Sequence, residues 1–126
     1  MDIFHELDKE FHFTLDAAAD ERNKKCYMYF DKATDAFKQD WGTHVAWLNP
    51  PGDEDPAPWV AKARLAAESG ATVVALLRPG INTPWFYTCT KHGEIRYLTL
   101  AKDKQYSCPN CGQMLQFCIV IFRPKK

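Results

Sequence analysis

Residues 71–77, ATVVALL, form an uninterrupted apolar run, partly β-branched, closed by Arg78-Pro79-Gly80. A run without alternation has no face to offer water. It reads as a strand covered on both sides, the pattern of parallel sheets packed between helices. THVAWLN, residues 43–49, reads as a second strand. Its end at Asn49 is fixed, because Pro50 and Pro51 cannot donate ladder hydrogen bonds and bias their predecessors toward extended backbone. Between the two runs, residues 58–70 place Val60, Ala63, Leu65 and Ala67 among charges, with Gly70 as the closing residue of a helix.

Other elements are set by periodicity. IFHELDKE, residues 3–10, spaces Ile3, Phe4 and Leu7 as a short amphipathic helix. FHFTLDAAA alternates Phe11, Phe13 and Leu15 on one face, which predicts a strand ending near Asp16. The small residues Ala17, Ala18 and Ala19 would let a ligand approach that strand end closely. Residues 20–40 are mixed: CYMYF reads as a short strand or a buried loop, and DAFKQDW as a turn. Residues 84–92 read as a short helix carrying Trp85 and Phe86, and EIRYLTL and MLQFCIVIF as two final strands, close enough in sequence for an antiparallel hairpin at one sheet edge.

Strand, helix, strand, helix, strand in succession predicts a single α/β domain over residues 1–126, with right-handed crossovers and a mostly parallel sheet. In open α/β sheets, ligands collect beyond the carboxyl ends of the strands. Asp16, Asn49 and Arg78 each stand at such an end.

Hydrophobic residues make up 46% and aromatic residues 13%, too apolar for a chain that stays unfolded. Sixteen basic residues balance sixteen acidic ones, so the total charge does not advertise a nucleic-acid binder, and any such contact must come from a local patch. Arg22, Lys24 and Lys25, then Lys102 and Lys104, then the terminal RPKK are the candidates; solvated faces are their ordinary role. No charged-then-apolar leader and no apolar run of about eighteen residues occurs. The expectation is a soluble cytoplasmic protein with no membrane partner. Five cysteines, an odd set without a secretory signal, point to free or metal-bound thiols.

Asn-Pro usually only starts a turn. Here the amide ends a buried strand, and two prolines stiffen the chain after it and leave the Pro50 carbonyl outside the ladder. The result is a rigid pair of acceptors. The exocyclic amino group of a base needs such a pair before it attacks an electrophile: two acceptors on its two hydrogens favour the pyramidal form that develops in the transition state.

In order and spacing, EFHFTLDAAAD, DAFKQDW, VAWLNPP, PWVAKA, GATVVALLRP, WFYTCTKHGEIRYL and CIVIFRP resemble the phage-type DNA N6-adenine methyltransferases. The resemblance covers most of the chain. It implies a small Rossmann-like methyltransferase fold with an antiparallel C-terminal hairpin, S-adenosylmethionine as cofactor and DNA as partner, in the host cytoplasm if a phage encodes the chain. It assigns Asn49, Pro50 and Pro51 to the catalytic motif and Asp16, Ala17 and Ala18 to the cofactor loop. DAFKQDW would supply an acceptor for the cofactor's adenine, Asp40 ahead of Asp35; a turn or cap is the alternative for Asp35.

Two departures leave an alternative standing. The family carries an aromatic residue directly after Asn-Pro-Pro, and here that position is Gly52, which offers no plane on which an extruded base can stack. Trp59, Trp85 and Phe86 are substitutes, each also an obvious core residue. Asp53, Glu54 and Asp55 would repel phosphates. The chain also begins later than the family pattern. A catalytically degenerate scaffold that contacts DNA or a phage or host protein is therefore the second expectation, and a free nucleotide or small amine as acceptor the third. A homodimer would supply recognition surface that so small a chain lacks.

Cys89-x2-His92, fifteen residues, then Cys108-x2-Cys111 has the spacing of a four-ligand zinc site, an insertion over about residues 89–112. With all four positions filled by protein such a zinc would be structural. The alternative is that Cys89 and His92 are one face of a helix. Cys118, inside an apolar strand, reads as a small buried hydrophobe.

Overall fold

In the computed structural model, which describes residues 3–52, 54–78, 83–97 and 117–124, the doubly apolar run is strand β3, Thr72–Leu77. It is preceded by helix α1 (Ile3–Phe11), β1 (Leu15–Asp16), β2 (Val45–Leu48) and α2 (Pro56–Glu68), and followed by α3 (Pro84–His92), β4 (Glu94–Tyr97) and β5 (Cys118–Phe122). The sheet order is β1-β2-β3-β5-β4.

Side chains along β3 alternate between two cores. Val73, Ala75 and Leu77 join Val60, Ala63 and Ala67 of α2 and Phe86 of α3. Val74 and Leu76 join Phe4 and Leu7 of α1, Trp47 of β2 and Ile119 and Ile121 of β5. Helices therefore cover both faces, as the unbroken apolar run requires.

The expected mostly parallel sheet is corrected to an evenly mixed one. β1, β2 and β3 are parallel, but β3 pairs antiparallel with β5, and β5 antiparallel with β4. The hairpin-forming strands lie at one edge as expected, with β5 inserted between β3 and β4. Burial on two faces sets composition and leaves strand direction undetermined, so the run itself could not show that one neighbour is reversed.

The strand expected over Phe11–Asp16 is also shorter. Phe11 closes α1, whose end is marked by His12 at φ 58, with the Asp8 carbonyl accepting from His12 N–H at 2.8 Å and the Asp8 carboxylate from Phe13 N–H at 2.8 Å. Phe11 and Phe13 still pack on the α1 core, so their alternation reported the buried face correctly and the backbone wrongly. Helix α2 begins two residues before its expected start because the Asp55 carboxylate caps it, accepting from Ala57 N–H at 3.0 Å, with Pro56 in its first turn. Its end is as expected: Gly70, at φ +121, lets its own N–H and that of Ala71 reach back to Ala67 and Ala66. Residues 20–40, the uncertain segment, carry an isolated parallel bridge from Tyr29 to Asp16 and a 3-10 turn at Ala36–Lys38. No helix among the described residues is long and apolar enough to cross a membrane.

An ion cluster ties α1 to the edge strand. Arg96 of β4 grips Glu10 with two hydrogen bonds of 2.7 and 2.8 Å and donates a third to Glu94, which also takes Arg123. Hydrogen bonds from these guanidinium groups hold the Glu10 and Glu94 carboxyls below their ordinary range. A carboxylate whose folded pKa is depressed stabilises the fold above its unfolded value and loses that contribution as pH falls. The denaturation midpoint of the native chain should accordingly fall as pH drops below about 4.5, and Arg96→Gln should flatten that slope relative to wild type. Urea titrations of the two proteins between pH 6 and 3 check this; identical slopes would refute it.

Candidate functional site

Because β1, β2 and β3 are parallel, their carboxyl ends open on the same side. Asp16 and Ala17 past β1, Asn49 and Pro50 past β2, and Leu77 and Arg78 at the end of β3 line one cleft of about 1400 Å³. The cleft is roomy enough for a small-molecule ligand.

Asn49 is exposed at the mouth, and no described residue hydrogen-bonds its carboxamide. The Pro51 carbonyl is occupied by Glu54 N–H at 3.1 Å, which folds the chain into the turn before α2. Pro50 and Pro51 are half-buried along the cleft wall. The structure thus brings all three residues of the motif to the cleft.

Asp16 is 2% exposed. Its carboxylate accepts from Ala18 N–H at 3.3 Å and Lys25 N–H at 2.9 Å, so it shapes the loop that bears Ala17 and Ala18. Burial pushes its pKa up, and the two amide hydrogen bonds act against that shift. The main chain of Asp16 is held too, its N–H donating to Met28 and its carbonyl accepting from Phe30.

The two aspartates of DAFKQDW separate. Asp35 lines the cleft at φ 61, a conformation uncommon outside glycine, and caps the 3-10 turn through Phe37 N–H at 3.1 Å. Asp40 is exposed, binds Gly42 N–H at 2.8 Å and is absent from the cleft lining. Of the two, the structure thus places Asp35 at the cleft. Trp41 pins this segment: it is buried, donates to the Ala36 carbonyl at 3.0 Å and lies under Lys62 of α2.

Aromatic planes reach the cleft from Trp59, Trp85 and Phe37, whereas Phe86 is buried in the core and is not part of the lining. Trp59 donates to Glu54 at 3.2 Å, and Phe37, 41% exposed, lies with its ring centroid 4.4 Å from that of Trp59. Phe37 was not singled out by sequence, since a one-turn helix has no periodicity to read. Gly52 has open space around the position of a Cβ. Of the acidic cluster, Glu54 is engaged with Trp59 and Asp55 with the helix cap; Asp53 lies outside the described residues.

Of the four expected metal ligands, Cys89 is fully buried in the core, His92 is exposed, and Cys108 and Cys111 lie outside the described residues. Burial, with Cys118 beside it, pushes the Cys89 thiol up to about 12. Among the described residues no three metal-capable side chains come together.

Comparison with known proteins places these features. The sequence model of the DNA N-6-adenine-methyltransferase (Dam) family matches residues 1–119. The DNA N-6-adenine-methyltransferase of Escherichia phage T1 is 40% identical over 76 residues, which are 59% of this chain and 31% of the phage protein. The chain thus spans about a third of that relative's length.

Removing the Asp16 carboxylate leaves the Ala18 and Lys25 amides without their partner in a partly buried loop, a penalty of about 1–3 kcal/mol for a donor that water does not reach. Asp16→Ala should therefore destabilise the ligand-free protein by about 2 kcal/mol or more, measured as a urea midpoint at neutral pH; unchanged stability would show that the carboxylate does not hold the loop. Gly52→Ala should leave the same midpoint unchanged or slightly higher, since its Cβ meets nothing.

Proposed function

Because the chain belongs to the DNA N-6-adenine-methyltransferase family, we propose that it transfers a methyl group from S-adenosylmethionine to the exocyclic amine of adenine in DNA. The observation that carries this reading is the position of Asn49-Pro50-Pro51: an exposed carboxamide and a stiffened carbonyl at the mouth of a cleft fed by three parallel strand ends.

The lining suits the cofactor. Asp35 gives the cleft a carboxylate on the side of the 3-10 turn, and Ala17, Ala18 and Ala19 leave room against the end of β1. S-adenosylmethionine, when bound, supplies a methyl made electrophilic by its sulfonium. Asp16 would keep the alanine loop in shape, and Asp35 would accept from the cofactor's adenine. Asn49 Oδ1 and the Pro50 carbonyl would each accept one amino hydrogen of the target base, drawing its lone pair out of the ring. Phe37, Trp59 and Trp85 line the same cleft and provide the apolar planes that Gly52 does not, which an extruded base needs to offset the few kcal/mol of unstacking.

Asn49→Ala should lower methyl transfer about a hundredfold or more while leaving cofactor affinity and stability nearly unchanged, because the side chain is exposed and carries no structural contact among the described residues. Tritium incorporation into DNA and calorimetric titration with S-adenosylmethionine read the two quantities separately. A second reading, a scaffold that retains the fold without transfer, is favoured by the bare Gly52. Cofactor binding by the native chain without transfer to any DNA would establish it in place of the first.

The zinc assignment rests on the spacing of Cys89, His92, Cys108 and Cys111. A metal held by these four would be structural, with no open position for water. Metal analysis of the purified chain checks it: one zinc per chain, lost in Cys108→Ser with Cys111→Ser, is expected, and a metal-free native protein would end this assignment.

A further inference from the structure

The cleft has two unlike rims. The β2–α2 connection contributes Glu54 and Asp55, both exposed, and carries no cation from Asn49 to Ala61. The segment beyond β1 contributes Arg22, Lys24, Lys25 and Lys32, all in the cleft lining, with Arg22, Lys24 and Lys25 exposed and Lys32 on its outer turn. Asp20, Glu21 and Asp31 stand among these cations: Asp20 accepts from Arg22 and Asn23 N–H and Asp31 from Thr34 N–H and Oγ1–H on their own turns, while Glu21 is exposed. Over residues 20–32 the four cations Arg22, Lys24, Lys25 and Lys32 outnumber the three carboxylates Asp20, Glu21 and Asp31, whereas the 54–55 side carries carboxylates alone.

Between these cations stands Tyr27, 97% exposed. One exposed aromatic residue is ordinary on a protein surface. This one differs in being held on a fixed support. Its neighbour Met28 accepts from Asp16 N–H at 2.9 Å, Phe30 N–H donates to the Asp16 carbonyl at 3.0 Å, and Ala19 N–H donates to the Phe30 carbonyl at 3.0 Å. The backbone of residues 28–30 is thus stitched to the strand end at the cleft, and Lys24 Nζ is held 4.9 Å above the Tyr29 ring. Cations in one short segment with an exposed ring on anchored backbone form the combination that grips a nucleic-acid strand, with phosphates on the ammonium and guanidinium groups and a base face on the ring.

We infer that the 22–32 rim is the DNA-tracking surface of the protein: Arg22, Lys24 and Lys32 contact the phosphates flanking the target adenine, and Tyr27 stacks on the base exposed when that adenine is withdrawn. The acidic 54–55 rim excludes phosphates, so the strand runs along one side of the cleft only. This inference rests on DNA being the substrate, as proposed above.

Fluorescence polarisation with the full chain and a labelled adenine-containing duplex, over a series of salt concentrations, tests it. Arg22→Gln with Lys24→Gln should reduce the slope of log affinity against log salt by about two, for every duplex sequence alike. Lys9→Gln with Lys91→Gln, an equal change of charge on helices α1 and α3, should leave the slope unaltered. Tyr27→Ala should weaken binding about tenfold with the slope intact, and Tyr27→Phe should restore it, separating the ring from any general loss of folding. Rim variants with the slope of the helix control, or a Tyr27→Ala affinity equal to wild type, would overturn the inference while leaving the methyltransferase reading standing. A native chain that binds S-adenosylmethionine but no duplex at low salt would remove the DNA substrate itself, and this rim assignment with it.

Discussion

Burial of β3 on both faces is the constraint on which the rest of the molecule depends. A strand with Val73, Ala75 and Leu77 on one side and Val74 and Leu76 on the other can be satisfied only inside a three-layer arrangement. Every neighbour is then placed by it. β2 aligns parallel along its length, from Val45 opposite Thr72 to Leu48 opposite Ala75, and β1 aligns on β2. The parallel ends stop close together, with Pro50 and Pro51 following β2 and β3 ending at Leu77. An opening at that edge is therefore a consequence of the core, lined in part by core residues such as Trp47 and Leu77 and in part by exposed ones. Asn49 is one of the exposed ones, and its carboxamide has no hydrogen-bond partner among the described residues.

The β1 side of the opening is built differently. β1 is only two residues long, too short to hold a cleft wall by ladder hydrogen bonds alone. Asp16 compensates by using every polar group it has. Its N–H and carbonyl bind residues 28 and 30, and its two carboxylate oxygens bind the amides of Ala18 and Lys25. Holding a carboxylate where burial raises its pKa is unfavourable, and the main-chain bonds it organises are the offsetting gain. One side chain thus connects the alanine loop, the Tyr27 segment and the first strand, so these parts shift together or not at all.

How much of this was legible in the sequence depended on whether a residue's role is set by its neighbours in the chain or across space. β2, α2, β3 and α3 are local: proline stops, Gly70 and apolar periodicity specify them, and they stand within two residues of where those signals put them, the unread Asp55 cap accounting for the earlier start of α2. The site strand ends were legible for the same reason. Strand direction was not, since Cys118–Phe122 is buried on both faces whether it runs with β3 or against it. Nor was the pairing of Tyr29 with Asp16, which depends on a loop closing over many residues rather than on alternation. Asp35 and Asp40 show the limit most clearly. Both are aspartates that bind an amide two residues onward, a local habit they share, and only the anchoring of Trp41 and Ala36 beneath the turn decides which one faces the cleft.

The absence of a side chain at Gly52 and the presence of a ring at Phe37 are best understood together. The turn after Pro51 has its Glu54 carboxylate drawn back onto the Trp59 indole, and the Asp55 carboxylate committed to the helix cap. Gly52, with nothing within 4 Å of its Cβ position, lines the opening without projecting a side chain into it. From across the same opening the 3-10 turn presents Phe37, 41% exposed and tilted at 48° to Trp59. An apolar plane is thus still available to a ligand in the cleft, delivered by a segment that Asp35 and Trp41 hold rigid instead of by the residue after the motif. In the proposed reaction the base would then be gripped by its amino group at Asn49 and by its face from a different part of the chain. Holding the two ends of the base from separate elements lets Asn49 and Pro50 keep their geometry while the stacking partner varies, which is how a motif can persist beside a neighbour that has lost its ring.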